Sequence, residues 1–324
     1  METVSGVNNW RLIVRREADG VVIVRASTCD ARAALPETLL GLPVTALGDH
    51  ALSPSAGEAP GDRIRVACGP VPDDAEWGNR RLEELALPPS LRRVGDYALF
   101  NCSGLKTLCL YDSVRYWGGG VLMNCRLLDT LRITQAEEGE ALAYFAGELS
   151  RELDVTVTGP EGETVRLLFP EYAEQYEENC PAHHFDYNIQ GAGYPYHHCF
   201  RSKRLDLREY DKLWPGFLAM EHDPEAAIRL ALRRLRYPRE LTERARKDYL
   251  AYLQGHAGEA LEAALAERDG PGLRFLLDSL SPDQEVLSAA LALARAGEDT
   301  GAVAVLLEER RRRFPAGREK AFDL

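Results

Sequence analysis

Leucines in the first half of the chain recur at one fixed interval, the step from Leu82 to Leu105 and again to Leu128. Three successive apolar triplets share this spacing: Leu82, Leu85 and Leu87; Leu105, Leu108 and Leu110; Leu128, Leu131 and Ile133. The same interval relates Gly95 to Gly118 and Asn101 to Asn124. Each unit predicts a short strand, a turn and a return segment. One such unit cannot bury its apolar face alone, so the pattern predicts units stacked into a β-solenoid.

The residues between the leucines predict a surface. Side chains alternate along a strand between the two faces of its sheet, so these residues face away from the leucine core. They are Glu84, Ala86, Thr107, Cys109, Tyr111, Thr130 and Arg132. We expect an exposed binding face formed by Glu84, Thr107, Tyr111, Thr130 and Arg132. A solvated surface without a partner is the alternative.

Two further features of the repeat carry structural expectations. Cys102 and Cys125 occupy equivalent positions of successive units, and we expect both to pack inward as small apolar side chains. The pattern changes at residues 117–120, where WGGG replaces the VGDY of the preceding unit. Because glycine in a strand often marks a bend or a close backbone approach, we expect one of these at this rung.

Two stretches of the chain carry a family resemblance, LPETLLGLPVTALGDHAL and LEELALPPSLRRVGDYALFNCSGLKTLCL. They resemble the BspA-like class of bacterial leucine-rich repeats over residues 35–134, which implies a repeat fold with exposed interaction surfaces. Gly48 precedes Gly95 by two repeat intervals and one additional residue. We therefore expect a degenerate repeat within residues 53–81, with RIRVAC as its strand. WRLIVRR and VVIVRAS flank Asp19-Gly20 and predict a capping hairpin.

From residue 221 onward the apolar spacing becomes that of helices. Asp223 and Ser281 each precede a proline at a predicted helix start, and Gln284 would complete a capping box after Ser281. Two pairs of similar segments recur, one with Asp269 equivalent to Asp299 and the other with Asp223 equivalent to His256. We expect about six antiparallel helices, as an α-solenoid or a compact bundle. The array loosely resembles ankyrin repeats, although the ankyrin loop motif is missing.

Residues 180–200 combine four of the seven histidines with two cysteines and five aromatic residues. Their order shows neither helical nor strand periodicity. The spacing of Cys180, His183, His197 and Cys199 would supply four zinc ligands, and imidazole and thiolate suit a closed structural zinc site. Two alternatives stay open: the rings pack together in a joint, or a cysteine and a histidine form a nucleophile pair.

Composition and charge place these segments in one α+β protein. The 324 residues are 45% hydrophobic and 28% charged, as in ordinary globular proteins. The net charge of −12 is concentrated in residues 136–200, which carry 2 Lys/Arg against 13 Asp/Glu. We expect a hairpin cap with repeats at 1–135, an acidic α/β connector at 136–215 and helical repeats at 216–324. The sequence contains no basic stripe of the size that nucleic-acid binding needs.

Membrane and export signals are also missing from the sequence pattern. No run approaches the roughly 18 apolar residues of a membrane helix, and residues 1–9 lack the basic start and apolar stretch of a signal peptide. Seven cysteines without a secretion signal favour reduced thiols and a cytoplasmic location.

These patterns favour a non-enzymatic intracellular scaffold or adaptor that binds a protein partner and needs no cofactor. The sequence contains no phosphate-binding loop, nucleotide fingerprint or serine nucleophile motif. The alternative is a zinc-binding protein, with hydrolase activity as one form, centred on residues 180–199. A third interpretation, an exported surface adhesin, follows only from the BspA-like resemblance.

Overall fold

The structure, a computed structural model, describes residues 2–71, 75–135, 140–179 and 184–315. The chain has a mixed α/β fold and divides into two compact units, Met1–Asp206 and Leu207–Leu324. Most of the expected connector, residues 136–206, therefore belongs to the first unit. The three-part division itself stays a prediction.

The first unit is built mainly from short strands. In chain order its elements are β1 (Glu2–Ser5), β2 (Trp10–Glu17), β3 (Gly20–Thr28), β4 (Arg32–Ala34), β5 (Thr38–Leu39), β6 (Leu42–Leu47), β7 (Asp62–Ala67), a 3-10 helix (Asn79–Arg81), β8 (Glu84–Ala86), β9 (Arg93–Val94), β10 (Thr107–Tyr111), β11 (Tyr116–Trp117), β12 (Thr130–Thr134), α1 (Ala141–Glu148), β13 (Leu153–Thr158), β14 (Thr164–Phe169), β15 (Ala173–Asn179), β16 (His184–Gln190), α2 (Tyr194–His197), β17 (Phe200–Arg201) and β18 (Arg204–Leu205). The described strands form an eight-stranded sheet, a six-stranded sheet and two two-stranded sheets.

The six-stranded sheet, in the order β14-β13-β12-β10-β8-β4, contains the leucine repeat. Leu85 of β8 lies opposite Leu108 of β10, and Leu108 lies opposite Leu131 of β12, all in parallel register. The three leucines are fully buried. The prediction that the leucine interval marks successive strands is thus confirmed. Equivalent leucines pair in register, and each strand adds its leucine to the same side of the sheet.

The sheet continues beyond the repeat. β13 pairs in parallel with β12, and Val155 lies opposite Leu131. β14 then pairs antiparallel with β13, so the segments LDVTV and TVRLLF form a hairpin. Val155 is fully buried, so this hairpin extends the row of apolar side chains.

The eight-stranded sheet has the order β1-β7-β2-β3-β6-β9-β11, with β5 attached to β6. The capping hairpin is confirmed: β2 is antiparallel to β3, with Glu17 opposite Gly20 at the turn. β7 carries most of the RIRVAC segment, but it pairs with β1 and β2. The prediction that it is a repeat strand is wrong, because its backbone pairs with β1 and β2, where Ile64 and Val66 are buried.

The repeat strands on either side of residues 53–81 pair directly with each other. Arg32 of β4 lies opposite Glu84 of β8, and β6 pairs in parallel with β9. The repeats that contain Gly48 and Gly95 are therefore direct neighbours in the sheets, and the long offset between these glycines is one repeat interval plus an insertion. The backbone N–H and C=O groups of β4 and β8 hydrogen-bond to each other. The inserted segment is therefore not needed between them, and its strand β7 pairs with β1 and β2.

Two glycines allow neighbouring rungs to approach closely at residues 117–120. A Cβ at Gly118 would lie 2.5 Å from the backbone N of Asp96. A Cβ at Gly120, whose φ is +63°, would lie 2.5 Å from the ring of Tyr97. The expected close approach is confirmed, since a side chain at either position would collide with the rung before it.

The two equivalent cysteines pack inward, as predicted. Cys102 and Cys125 are 0% and 1% exposed, and their thiols lie 3.4 Å from Leu52 O and 3.1 Å from Leu99 O. Burial raises the pKa of Cys102 well above its usual value and raises the pKa of Cys125 to about 11. Both thiols therefore stay protonated and unreactive at neutral pH.

Every secondary-structure element described in the second unit is a helix. Its helices are α3 (Leu207–Lys212), α4 (Trp214–Ala219), α5 (Pro224–Arg236), α6 (Glu243–Gly255), α7 (Ala257–Ala266), α8 (Gly270–Leu280), α9 (Gln284–Ala296) and α10 (Thr300–Arg313). Asp223 caps α5, as predicted, by accepting a hydrogen bond from the backbone N of Glu225. Asp269 and Asp299 cap α8 and α10 in the same way. The recurrence seen in the sequence thus corresponds to equivalent helix starts.

The start of α9 differs from the prediction. Its capping residue is Asp283, which accepts from the backbone N of Val286, and the helix begins at Gln284. Ser281 adopts a left-handed φ of 52° after the last turn of α8. Ser281 and Gln284 therefore do not form a capping box, because Ser281 ends one helix and does not start the next.

A buried ion pair links three helices of the second unit. Arg234 of α5 is 0% exposed and donates two hydrogen bonds to Asp211 of α3, at 2.7 and 2.9 Å. The hydroxyl of Tyr249 on α6 donates to the same carboxylate at 3.0 Å. Because every partner in this network is buried and hydrogen-bonded, it fixes the relative positions of α3, α5 and α6.

Candidate functional site

The five residues predicted to bind a partner lie on one side of the six-stranded sheet. Glu84, Thr107 and Thr130 form one row in register, and Arg132 and Tyr111 occupy the next two rows. All five are exposed or half-buried, whereas the leucines between them are buried. The predicted alternation is therefore confirmed for these positions. We call this set of five residues the polar face.

Strand β13 extends the polar face with residues that the repeat did not predict. Asp154 lies opposite Thr130, Thr156 lies opposite Arg132, and Thr158 lies opposite Thr134. The step from β12 to β13 is one residue longer than the repeat interval, so a search at the repeat interval misses it. The alternation of LDVTVT was the signal that could have found these side chains.

An open recess of about 350 Å³ lies on this side of the sheet. It is lined by Ala86, Leu87, Cys109, Leu110, Tyr111, Arg132, Ile133, Thr134, Thr156 and Thr158. Threonine and tyrosine hydroxyls both donate and accept hydrogen bonds, and arginine donates several. The recess can therefore hydrogen-bond a polar chain at several points.

Charge on the polar face is balanced locally. Arg132 Nη1 lies 3.3 Å from Glu84 Oε1, and the Cys109 thiol lies 3.8 Å from the same oxygen. The Arg132 and Glu84 side chains are 55% and 30% exposed, so the pair contributes at most about 1 kcal/mol to stability. Burial, and then the charge of Glu84, raise the pKa of Cys109. The polar face thus presents an arginine oriented by Glu84, and the Cys109 thiol beside this pair is protonated.

A second concave surface lies between β11 and α1. This cleft of about 610 Å³ is lined by Asp112, Ser113, Val114, Arg115, Tyr116, Trp117, Glu140, Ala143, Tyr144 and Lys203. Trp117 and Tyr144 stack with ring centroids 5.2 Å apart. Lys203 Nζ lies 2.5 Å from a carboxylate oxygen of Glu140. The sequence pattern does not predict this cleft, although the replacement of VGDY by WGGG marks its tryptophan.

The helix α1 beside this cleft is anchored by a buried carboxylate. Asp112 is 6% exposed and accepts a hydrogen bond from the backbone N of Ala141 at 3.2 Å. The hydroxyl of Tyr144 donates to Gly118 O at 3.3 Å, and burial raises the pKa of this tyrosine. A carboxylate at a helix N-terminus is stabilised by the backbone N–H groups there, so Asp112 holds one wall of the cleft in place.

His197 is the predicted zinc ligand with the most fully described surroundings. It lies on α2 and is 1% exposed. Its Nδ1 lies 2.9 Å from Ala146 O, and its Nε2 lies 3.0 Å from Pro170 O. Burial lowers the pKa of His197, while the two carbonyls act in the opposite direction. Both ring nitrogens contact the backbone, which matches the packed-ring alternative.

The other members of the predicted zinc set are less completely placed. Cys180 and His183 lie outside the described residues. The thiol of Cys199 lies 2.9 Å from Tyr196 O. Within the described ranges, no group of three or more His, Cys, Asp or Glu side chains is arranged to hold a metal ion. Zinc binding by Cys180, His183, His197 and Cys199 stays a prediction.

Comparisons with known proteins add little to this geometry. The chain matches no protein-family model and no curated protein. Among solved structures it is similar to a leucine-rich repeat protein of T. pallidum, with 16% sequence identity and a TM-score of 0.21. The match covers 37% of this chain and 68% of that protein. In the described part of the chain, no helix is long and apolar enough to cross a bilayer.

Proposed function

We propose that this chain is a non-enzymatic interaction scaffold whose repeats form a BspA-like leucine-rich β-solenoid and bind a protein partner through the polar face. One observation supports the proposal above all. Glu84, Thr107 and Thr130 come from three successive repeats and stand side by side in one row. Because backbone hydrogen bonds order this row before a partner arrives, binding requires little further loss of conformational entropy.

The residue types on the polar face suit a protein partner. Tyrosine and arginine are enriched among the residues that dominate binding energy at protein interfaces. Tyr111 and Arg132 supply these two types, and the threonines around them add hydrogen-bonding hydroxyls. Glu84 beside Arg132 keeps the local charge close to neutral. A partner with a polar surface of mixed charge would complement this arrangement.

The helical unit has a supporting role in the same proposal. The matching caps of Asp269 and Asp299 support a repeated helical element, either as an α-solenoid with a loose likeness to ankyrin repeats or as a bundle. Repeat arrays offer extended surfaces for binding. We therefore assign this unit a second, independent interaction surface.

Affinity capture of the partner with matched charge-reversal variants tests the polar face. We expect Arg132→Glu to reduce partner recovery by about tenfold or more, because it places a second carboxylate beside Glu84. The control is Arg93→Glu, which makes the same charge change at an exposed position of β9 in the other sheet. The polar face would be excluded as the binding surface if Arg132→Glu recovered as much partner as the wild type. It would also be excluded if Arg132→Glu and Arg93→Glu reduced recovery equally.

A further inference from the structure

The hairpin of β15 and β16 differs from every other long pair of strands in the first unit. Its two strands form a sheet of their own, and the described side chains at 173–176 and 187–190 are all exposed. A two-stranded hairpin without a buried face is only marginally stable in water. Its outer edges also offer backbone N–H and C=O groups on which another strand can add.

One face of this hairpin carries two exposed tyrosines. Tyr176 lies directly opposite Tyr187, their ring centroids are 4.9 Å apart, and they are 69% and 45% exposed. Glu174 lies opposite Ile189 on the same face, and the hydroxyl of Tyr187 hydrogen-bonds to the Glu174 carboxylate. Two aromatic rings and one carboxylate therefore lie within reach of a single long side chain.

The opposite face of the hairpin is chemically different. Gln175 and Gln190 share a hydrogen bond of 2.8 Å between their side-chain amides, and Asn188 lies opposite Gln175. These three amides make this part of the face polar and uncharged, and the register places Glu177 opposite Asp186 further along the same row. Among the described side chains, aromatic rings beside a carboxylate therefore lie on the tyrosine face.

The negative charge of the hairpin determines which kind of partner can bind the tyrosine face. Residues 171–190 contain five Asp/Glu and no Lys/Arg. A second copy of the chain would bring the same negative charge to the contact and be repelled. A cationic partner would be attracted, and a guanidinium can stack on a tyrosine ring while it hydrogen-bonds a carboxylate.

We propose that the β15–β16 hairpin binds an arginine-containing extended segment of a protein partner. The segment adds to an edge of the hairpin as a further strand and places an arginine on the Tyr176–Tyr187 pair beside Glu174. The hairpin shares no residue with the polar face, so this site is distinct from the polar face and is tested independently of it.

The proposal is tested with the full chain and a defined probe, a short acetylated peptide in which arginine alternates with threonine. We expect this peptide to bind at low salt, about fivefold tighter than its lysine analogue, because guanidinium stacks better on tyrosine. Tyr176→Ser/Tyr187→Ser should weaken binding about tenfold, and Glu174→Gln about threefold. Fluorescence anisotropy of a labelled peptide measures these affinities.

Matched controls separate the hairpin from general acidity of the chain. Tyr97→Ser removes an exposed tyrosine elsewhere, and Glu161→Gln removes an exposed carboxylate from a different turn. Both should bind the peptide as the wild type does. No binding of the arginine peptide, or equal affinity for the wild type and the double tyrosine variant, would overturn the proposal. So would a dimer in sedimentation that the double tyrosine variant loses, because that result would assign the hairpin to self-association.

Discussion

The two units of this protein fix the positions of their strands and helices in different ways. In the first unit, Leu85, Leu108 and Leu131 form one buried row because parallel pairing places equivalent residues of successive repeats side by side. In the second unit, one buried ion pair between Asp211 and Arg234 connects three helices. The first arrangement distributes its free energy of folding over many equivalent apolar contacts. The second unit also has an apolar core, but a few buried polar atoms fix the positions of α3, α5 and α6 within it, so single substitutions test the difference.

The largest effect is expected in the second unit. Asp211→Ala leaves the guanidinium of Arg234 buried without its carboxylate, and an unpaired buried charge costs about 3–5 kcal/mol of stability. Urea unfolding followed by far-ultraviolet circular dichroism, which reports mainly on the helices, measures this loss.

A double variant serves as its control. Asp211→Leu with Arg234→Leu removes both charges and should recover most of the stability, since apolar replacements of buried ion pairs are often neutral. A single variant that unfolds at the same urea concentration as the wild type would show that the network does not hold the helices together.

A slightly smaller effect is expected in the first unit. Leu108→Ala creates a cavity between Leu85 and Leu131, and a buried Leu→Ala change costs about 2–5 kcal/mol. The neighbouring residue Thr107 faces the other side of the strand, so Thr107→Ala should cost well under about 1 kcal/mol. Equal losses for the two variants, measured by urea unfolding, would mean that the leucine row is not the core of the repeat.

The pH dependence of stability sharpens the comparison, because the titratable side chain of His197 is buried in the first unit. Burial lowers the pKa of His197 below its usual value, so the unfolded chain takes up this proton at a higher pH than the folded chain. The free energy of unfolding should therefore fall as the pH drops through about 6.5, the value of an unperturbed histidine. His197→Asn should show a shallower fall in urea titrations between neutral and mildly acid pH. An unchanged slope would contradict the lowered pKa.

The smallest effect is expected from metal removal. Both ring nitrogens of His197 contact backbone carbonyls, so a chelator should leave the urea midpoint of the wild type unchanged. Elemental analysis of protein purified without chelators checks the same point. One zinc per chain, with a midpoint that falls on chelation, would instead support the set Cys180, His183, His197 and Cys199.

Much of the polar face could be predicted from the sequence, because it depends on a local rule. Alternation along a strand places Thr107 and Arg132 opposite to the leucines wherever the strand lies. The contribution of β13 depends on which strand pairs with β12, and its longer step along the chain hides it from the repeat. The aromatic cleft was also missed, because Trp117 and Tyr144 are distant in sequence and meet only after α1 packs beside β11.

The sequence by itself determined the strand period, the inward leucines and cysteines, and the aspartate caps, since each follows from backbone geometry within a few residues. Only the tertiary structure decided that β7 joins the cap, that β4 pairs directly with β8, and that Ser281 ends a helix. The physical reason is the same for the two strand pairings. Several distant strands compete to hydrogen-bond the backbone N–H and C=O groups at the edge of a given strand. No local sequence pattern determines which of them pairs there.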